Sequence, residues 1–209
     1  SFLGMRVAAF WSILFAFVAG MPVVLATLWP GPTGSFSLYQ KNLRFDNADL
    51  PALAADIRLA KPMALTAQEV SLANRALLED LSDLLPHQLV CDSSGSGSVA
   101  VATRLPPVPG AELCVPGLAA MQVTLKEPNR ETRVWIVSVH LHWPWPYGQS
   151  DQVDKLAQAL AGLDGPVLMA GDFNMVRWGN SVQRLARAAR AEAAGPSQGT
   201  YLGFEPILR

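Results

Sequence analysis

Asp172 and Asn174 close an apolar run at 167–170 in the stretch VLMAGDFN. A strand core that ends on glycine, carboxylate, aromatic and carboxamide in succession can be a loop by composition alone. It can also be a ligand site, because open α/β sheets gather ligands at the carboxyl ends of their strands. There a short acid and an amide can meet a metal ion and a water molecule. Other polar residues fall in equivalent places. Asn42 sits at the end of a first strand, in YQKNLR, and Glu69 follows a second, in LTAQEV. His140 ends a later strand, in VSVHLHWP, and His142 lies two residues on, on the same face if the strand continues. Singly, each has an ordinary role: a turn for Asn42, a helix-dipole acid for Glu69, a half-buried imidazole for His140. Jointly they can converge on one crevice.

Distant strand ends meet only on a scaffold of alternating elements, and the chain reads that way. Residues 36–43 form a strand. Leu50, Leu53, Ile57 and Ala60 recur at helical spacing, with Asp46 or Asn47 as cap. Residues 63–66 make a short strand, before a helix carrying Leu72, Leu77, Leu78, Leu81 and Leu84 up to Pro86. Residues 88–91 and 99–103 are strands flanking SSGSGS, a loop by composition. Residues 122–125 and 133–141 pair as a hairpin around EPNRE. Ser150 caps a helix that buries Val153, Leu156, Leu160 and Leu163, and Gly165 and Pro166 end it before the strand at 167–170. A last helix covers 180–194, ahead of GPSQG, with Arg184, Arg187 and Arg190 on a solvated face. Helices interleaved with hairpins predict a mixed rather than purely parallel sheet.

On these motifs the chain resembles the endonuclease/exonuclease/phosphatase family, the group of deoxyribonuclease I. Asn42-Leu43, Gln68-Glu69, the strand GSVAVATRLP, His140-Leu141 and GDFN occur in family order across residues 35–209. HLHWPWP followed by GPVLMAGDFN is most similar to a bacterial, membrane-anchored branch. The resemblance implies an α/β (α+β) fold, a four-layer α/β/β/α sandwich of two mixed sheets. It also implies metal-dependent hydrolysis of a phosphoester. A phosphodiester is an anion whose charge must be neutralised before a nucleophile approaches, which a hard cation does through few carboxylates plus water and substrate oxygens. In that scheme Glu69 is the ligand of Mg²⁺ (or Mn²⁺), with Asn42 beside it. Asp172 orients and deprotonates the attacking water, Asn174 holds water or phosphate, and His140 donates to a phosphoryl oxygen. His142 is a substrate contact. Zinc ranks below magnesium, since it favours His and Cys ligands and the chain has three histidines. The family's later Asp and terminal Asp-His pair have no counterpart: after Asn174 the acids are Glu192 and Glu205, with no histidine. The family domain is therefore expected to be C-terminally incomplete and the 209-residue chain inactive. A binding or scaffold module of the same fold is the alternative.

Composition narrows the setting. The formal net charge of −1 supplies no global basic field for nucleic acid. Half of the residues are hydrophobic, and the excess is concentrated in front: no charge lies between Arg6 and Lys41. The apolar run at 7–29 is long enough to cross a hydrocarbon core of ~30 Å. It reads as a membrane anchor, or as a signal peptide cleaved after Val24-Leu25-Ala26. Residues 1–34, ending in the linker WPGPTG, are thus set apart from a monomeric domain at 35–209 placed outside the cytoplasm. Cys91 and Cys114 are too few for a disulfide scaffold, and strand geometry decides whether they pair. The substrate class stays open among nucleic acid, phospholipid and small phosphate esters.

Overall fold

The computed structural model describes residues 2–28, 34, 36–92, 97–127 and 130–194. Period-two alternation builds its centre. In β4 (Ser98–Thr103), Ala100 and Ala102 face one way, while Val99 and Val101 face the other. In β6 (Leu118–Glu127), Leu118 and Ala120 oppose Ala119, Met121 and Val123 in the same manner. Strands apolar on both faces must be covered twice. The result is three apolar layers: one between the sheets and one under the helices on each outer side.

The first sheet runs β1-β2-β4-β3, made of β1 (Leu38–Asn42), β2 (Ala64–Val70), β4 and β3 (His87–Cys91). Its outer face is covered by α2 (Leu50–Ala60) and α3 (Arg75–Asp80), with Ile57, Leu77, Leu78 and Leu81 in the core. The second sheet runs β5-β6-β7-β8, adding β5 (Pro107–Val115), β7 (Arg130–His140) and β8 (Val167–Asp172). On it pack α4 (Gln149–Ala161) and α5 (Asn180–Ala188), through Val153, Leu156, Leu160 and Leu185. Each sheet is mixed: β1–β2 and β7–β8 are parallel, and the other pairs are antiparallel. The expected sandwich of two mixed sheets with outer helices is the fold.

Local expectations needed several corrections. The α2 cap is Asp49, whose carboxylate accepts the Ala52 N–H at 3.3 Å, while Asp46 pairs with Arg44 and Asn47 accepts the Asp49 N–H. Asp49 stands one residue before the helix, where cap geometry requires it. Leu72 is exposed in the loop before α3 rather than buried on the helix. β2 extends to Val70, past its expected end at Thr66. α4 starts behind Gly148 in a left-handed conformation, so Ser150 lies inside the helix and does not cap it. α5 ends at Ala188, and Arg184 pairs with Asp154 of α4 while Arg190 donates to the Leu163 carbonyl. β5 was unexpected, because Pro106, Pro107, Pro109 and Gly110 break its pattern; an edge strand tolerates them. Cys91 and Cys114 form a disulfide joining β3 to β5. The linker at 29–33, most of SSGSGS, the tip of EPNRE and the GPSQG segment lie outside the described residues.

The chain divides into two units, 34–192 and a second that contains the N-terminal helix α1 (Phe2–Leu28). In α1 the apolar side chains of Phe10, Ile13, Phe15 and Phe17 are exposed. Among the described residues no helix is long and apolar enough to cross a membrane. The expected membrane span therefore draws no support from the structure.

Candidate active site

The two parallel pairs bring their carboxyl ends to one edge of the sandwich. Asn42 stands opposite Gln68 in the β1–β2 register, and His140 opposite Asp172 in β7–β8. Stacking of β1 on β8 and of β2 on β7 then closes the distance between sheets. The Asn42 amide Nδ2 donates to Glu69 Oε1 at 2.8 Å and to Asp172 Oδ2 at 2.9 Å. One amide thus bridges carboxylates from the two sheets. His140 Nε2 lies 3.9 Å from Glu69 Oε1, and its side chain is 8% exposed against 18% for Glu69. Burial pushes the His140 imidazole below its ordinary value; the Asp172 and Glu69 carboxylates pull it back up and His142 pushes it down.

Each of these positions has a local cause. Glu69 interrupts the β2–β4 ladder at an irregularity between Ala67 and Val70, with φ of +55°. A bulge re-aims a side chain out of the alternation, and here it turns Glu69 to the sheet edge. Its Oε2 accepts the Phe45 N–H at 3.0 Å. The buried Asn74 side chain secures the strained backbone, donating to the Glu69 carbonyl at 3.0 Å and the Arg44 carbonyl at 2.7 Å. Gly97, at φ +93°, backs the bulge so closely that a Cβ there would lie 3.0 Å from the Glu69 backbone.

The glycine of GDFN has a similar reason. A Cβ on Gly171 would fall 1.9 Å from the Val139 carbonyl oxygen, so only glycine lets β8 approach β7 at this register. That approach sets Asp172 beside His140. Asp172 Oδ1 accepts the Asn174 N–H at 2.9 Å, and the Asn174 side chain donates to the Leu141 carbonyl at 2.8 Å. Asn174, with φ +46°, uses the left-handed conformation that Asn tolerates.

The structure thus gathers Asn42, Glu69, His140, Asp172 and Asn174. His142 is different: β7 stops at His140, so the strand does not continue, and His142 is exposed with Nδ1 3.0 Å from the Tyr147 carbonyl oxygen. Asn42 is also placed differently from a simple ligand, since its Oδ1 accepts the Arg44 N–H while its Nδ2 orients both carboxylates.

Several positioning residues escaped sequence reasoning. Gln68 Nε2 donates to Ser138 Oγ at 2.9 Å, Ser138 donates to the Ala67 carbonyl, and Gln40 donates to Gln68 Oε1 at 2.7 Å. The buried Gln68–Ser138 pair joins β2 to β7 directly behind the site, with Gln40 of β1 at its exposed end. The available signal was a polar residue on the inward face of an apolar strand, as in ALTAQEV and WIVSVH. Gln152 Nε2 donates to the His140 carbonyl at 2.9 Å and fixes the end of β7.

Among the described residues no group of three or more His, Cys, Asp or Glu side chains is arranged to hold a metal ion. The donor chemistry nonetheless suits a hard cation with few protein ligands. A partly exposed carboxylate, Glu69, faces a second, Asp172, across an amide, with no thiolate nearby. Such a set leaves most coordination positions to water and substrate oxygens, as magnesium prefers.

The chain belongs to the endonuclease/exonuclease/phosphatase family: the family model matches residues 40–207. No curated protein matches it in sequence. Among solved structures it resembles a beta toxin variant from Staphylococcus aureus with bound magnesium ions, at 13% identity and TM-score 0.53, covering 75% of this chain and 70% of that one. It also resembles sphingomyelinase C from Streptomyces griseocarneus, at 19% identity and TM-score 0.52 over 75% and 70%. A third is D. rerio TDP2 complexed with a single-strand DNA product, at 15% identity and TM-score 0.56 over 72% and 64%. At these identities the likeness is one of fold.

Proposed function

We propose that this chain carries the site of a magnesium-dependent phosphoric ester hydrolase. The observation that carries the reading is the Asn42 amide bridging Glu69 and Asp172 from separate sheets, under a buried His140. Glu69 would hold the cation, with the Asn42 amide orienting its carboxylate. When bound, Mg²⁺ (or Mn²⁺) neutralises phosphate charge and raises the electrophilicity of phosphorus. Asp172, fixed by Asn42 and by the Asn174 N–H, accepts a proton from the attacking water. His140, with Nε2 3.9 Å from Glu69 Oε1, would donate to a phosphoryl oxygen as charge builds. Asn174 closes the loop beside them, and His142 contacts substrate from the rim.

Calorimetry of Mg²⁺ on the 209-residue chain tests the reading. Binding is expected in the wild type and lost in Glu69→Ala; equal affinity in both would sink the metal assignment. Turnover by this chain is expected to be negligible, because the family resemblance implies a further Asp and an Asp-His pair that residues 175–209 do not contain. Loss of one member of a catalytic unit removes most of its rate. The same feature supports a second reading, a binding module that retains the fold. Robust Mg²⁺-dependent hydrolysis by residues 1–209, abolished by Asp172→Ala, would exclude that second reading and show the site to be sufficient.

We further propose that the domain works outside the cytoplasm. Pairing of Cys91 with Cys114 supports this, since disulfides persist in oxidising compartments, and residues 1–34 serve as leader or anchor. A C-terminal alkaline phosphatase fusion should be active and a cytoplasmic fluorescent reporter dark; the reverse pattern overturns the topology.

A further inference from the structure

Large apolar side chains left in water on a soluble domain are ordinary when scattered and informative when they surround a site. In the unit 34–192 most of them surround one, Leu59 on α2 standing apart. Phe45 directly follows β1, and its N–H is bonded to the Glu69 carboxylate. Leu72, 84% exposed, lies in the loop just after Glu69. Trp143, Trp145 and Tyr147 project from the loop that leaves His140, with Trp145 85% exposed. Trp178 stands in the loop that leaves Asp172. These loops follow the carboxyl ends of β1, β2, β7 and β8, the four strands that carry the candidate catalytic residues.

The rim is built rather than loose. The buried Gln149 side chain donates to the His142 carbonyl at 2.5 Å and to the Phe173 carbonyl at 3.3 Å, and accepts from Ser181 Oγ at 2.6 Å. Asn174 ties the second loop to Leu141. Two loops that each expose tryptophan are therefore stapled side by side above His140 and Asp172.

Charge selects the occupant. A groove for single-stranded nucleic acid combines stacking aromatics with a basic track along the backbone. Here Arg44, beside Phe45, is paired with Asp46 at 3.1 Å, and the whole chain carries a net charge of −1. Trp and Tyr, with an apolar body and one polar tip, are the side chains that settle at a lipid–water interface. From this geometry we infer that the rim of Phe45, Leu72, Trp143, Trp145, Tyr147 and Trp178 docks on a lipid bilayer, and that the substrate is a phosphodiester headgroup presented there. The headgroup chemistry rests on the hydrolase reading above; the docking does not. Hydrolysis adds water across the ester: the water oxygen bonds to phosphorus, the bond to one alcohol oxygen breaks, and the water proton ends on that alcohol.

Hydrogen exchange read peptide by peptide tests the docking, because it separates the rim from α1. The full chain is compared alone, with phosphatidylcholine vesicles, and with a single-stranded oligonucleotide. Vesicles should slow exchange at 142–148 and 175–179, and the oligonucleotide should not. Trp145→Asp and Leu72→Asp, at side chains with almost no packing to lose, should weaken that protection by roughly tenfold in vesicle concentration when combined. Glu69→Gln should abolish Mg²⁺ binding yet keep the protection. Protection confined to residues 2–28, or produced by the oligonucleotide instead of vesicles, or unchanged in the Asp variants, overturns the docking surface. Loss of Mg²⁺ binding in the wild type with protected loops would overturn only the hydrolase reading.

Discussion

The sandwich has two ends, and they are built on opposite plans. At one end the edge strands β1 and β8 belong to parallel pairs, whose carboxyl ends coincide and deliver Asn42, Glu69, His140 and Asp172. At the other, the edge strands β3 and β5 belong to antiparallel pairs and carry a covalent clamp, Cys91–Cys114, with no candidate catalytic residue. Parallel pairing aligns like ends of strands, so polar residues placed last on each strand meet. Antiparallel pairing puts unlike ends together and offers hairpins instead. The site end is held only by hydrogen bonds and close packing, while the other end is held by a bond.

The sharpest way to break the site end is Gly171→Ala. A methyl group 1.9 Å from the Val139 carbonyl oxygen cannot be absorbed by a flexible side chain, because the obstacle is backbone. β8 must shift away from β7, costing about 3 kcal/mol or more, and Asp172 must leave His140. Chemical denaturation and Mg²⁺ calorimetry should both show the loss; a Gly171→Ala chain with unchanged stability would mean that the strand pair is looser than the 1.9 Å approach implies.

The opposite end should behave in the converse way. Replacing Cys91 and Cys114 by Ala reopens a loop of 23 residues' separation, which chain-entropy arguments put at about 3 kcal/mol. Folded protein should nonetheless bind Mg²⁺ with wild-type affinity, since the clamp sits at the far edges of both sheets. Affinity that falls with the disulfide would show the two ends to be coupled.

Between the ends lies the buried Gln68–Ser138 bridge, which runs on to the Ala67 carbonyl and takes a bond from the exposed Gln40. Gln68→Ala removes one of the two partners of the buried Ser138 hydroxyl while the exposed Gln40 amide turns to water, a cost of about 1 kcal/mol. Because the bridge lies one residue from Glu69, Mg²⁺ affinity should fall along with stability. A loss of stability alone would reduce Gln68 to packing.

These contrasts explain what was legible beforehand. Asn42, Glu69, His140 and Asp172 could be placed because chemistry-bearing residues ended apolar runs and occurred in family order. The helices α2 and α4 were legible through Ile57 and through Val153, Leu156 and Leu160, whose period matches their burial. What failed was decided by tertiary geometry. β5 was hidden by prolines that only an edge position tolerates, and the disulfide depended on that strand, so pairing could not be settled. The Asp49 cap lost to two neighbours of equal propensity, and Ser150 lost to Gly148, whose left-handed turn makes the entry into α4. The Glu69 bulge and the Gly171 approach are backbone events, which no side-chain periodicity records.

The smallest expected effect is a pH dependence confined to the site end. Burial holds the His140 imidazole below its ordinary value, despite the two carboxylates that face it. An imidazole in the unfolded chain titrates near pH ~6.5. Between that value and the lower one in the folded protein, the unfolded chain binds more protons than the folded chain. Stability in metal-free protein therefore rises with pH through this window. The contribution of His140 is complete above pH ~6.5 and is lost as pH falls through the folded value. One proton difference gives a slope of at most about 1.4 kcal/mol per pH unit. Denaturant unfolding of wild type and His140→Gln between about pH 5.5 and 7.5, above the ordinary carboxylate range, isolates this slope as the difference between the two chains. The wild type should lose stability faster on acidification, and breaking the Cys91–Cys114 clamp should shift both curves down without altering that difference. Parallel curves for the two chains would mean that His140 is solvated in the folded state, and that the site end is more open than its 8% exposed imidazole indicates.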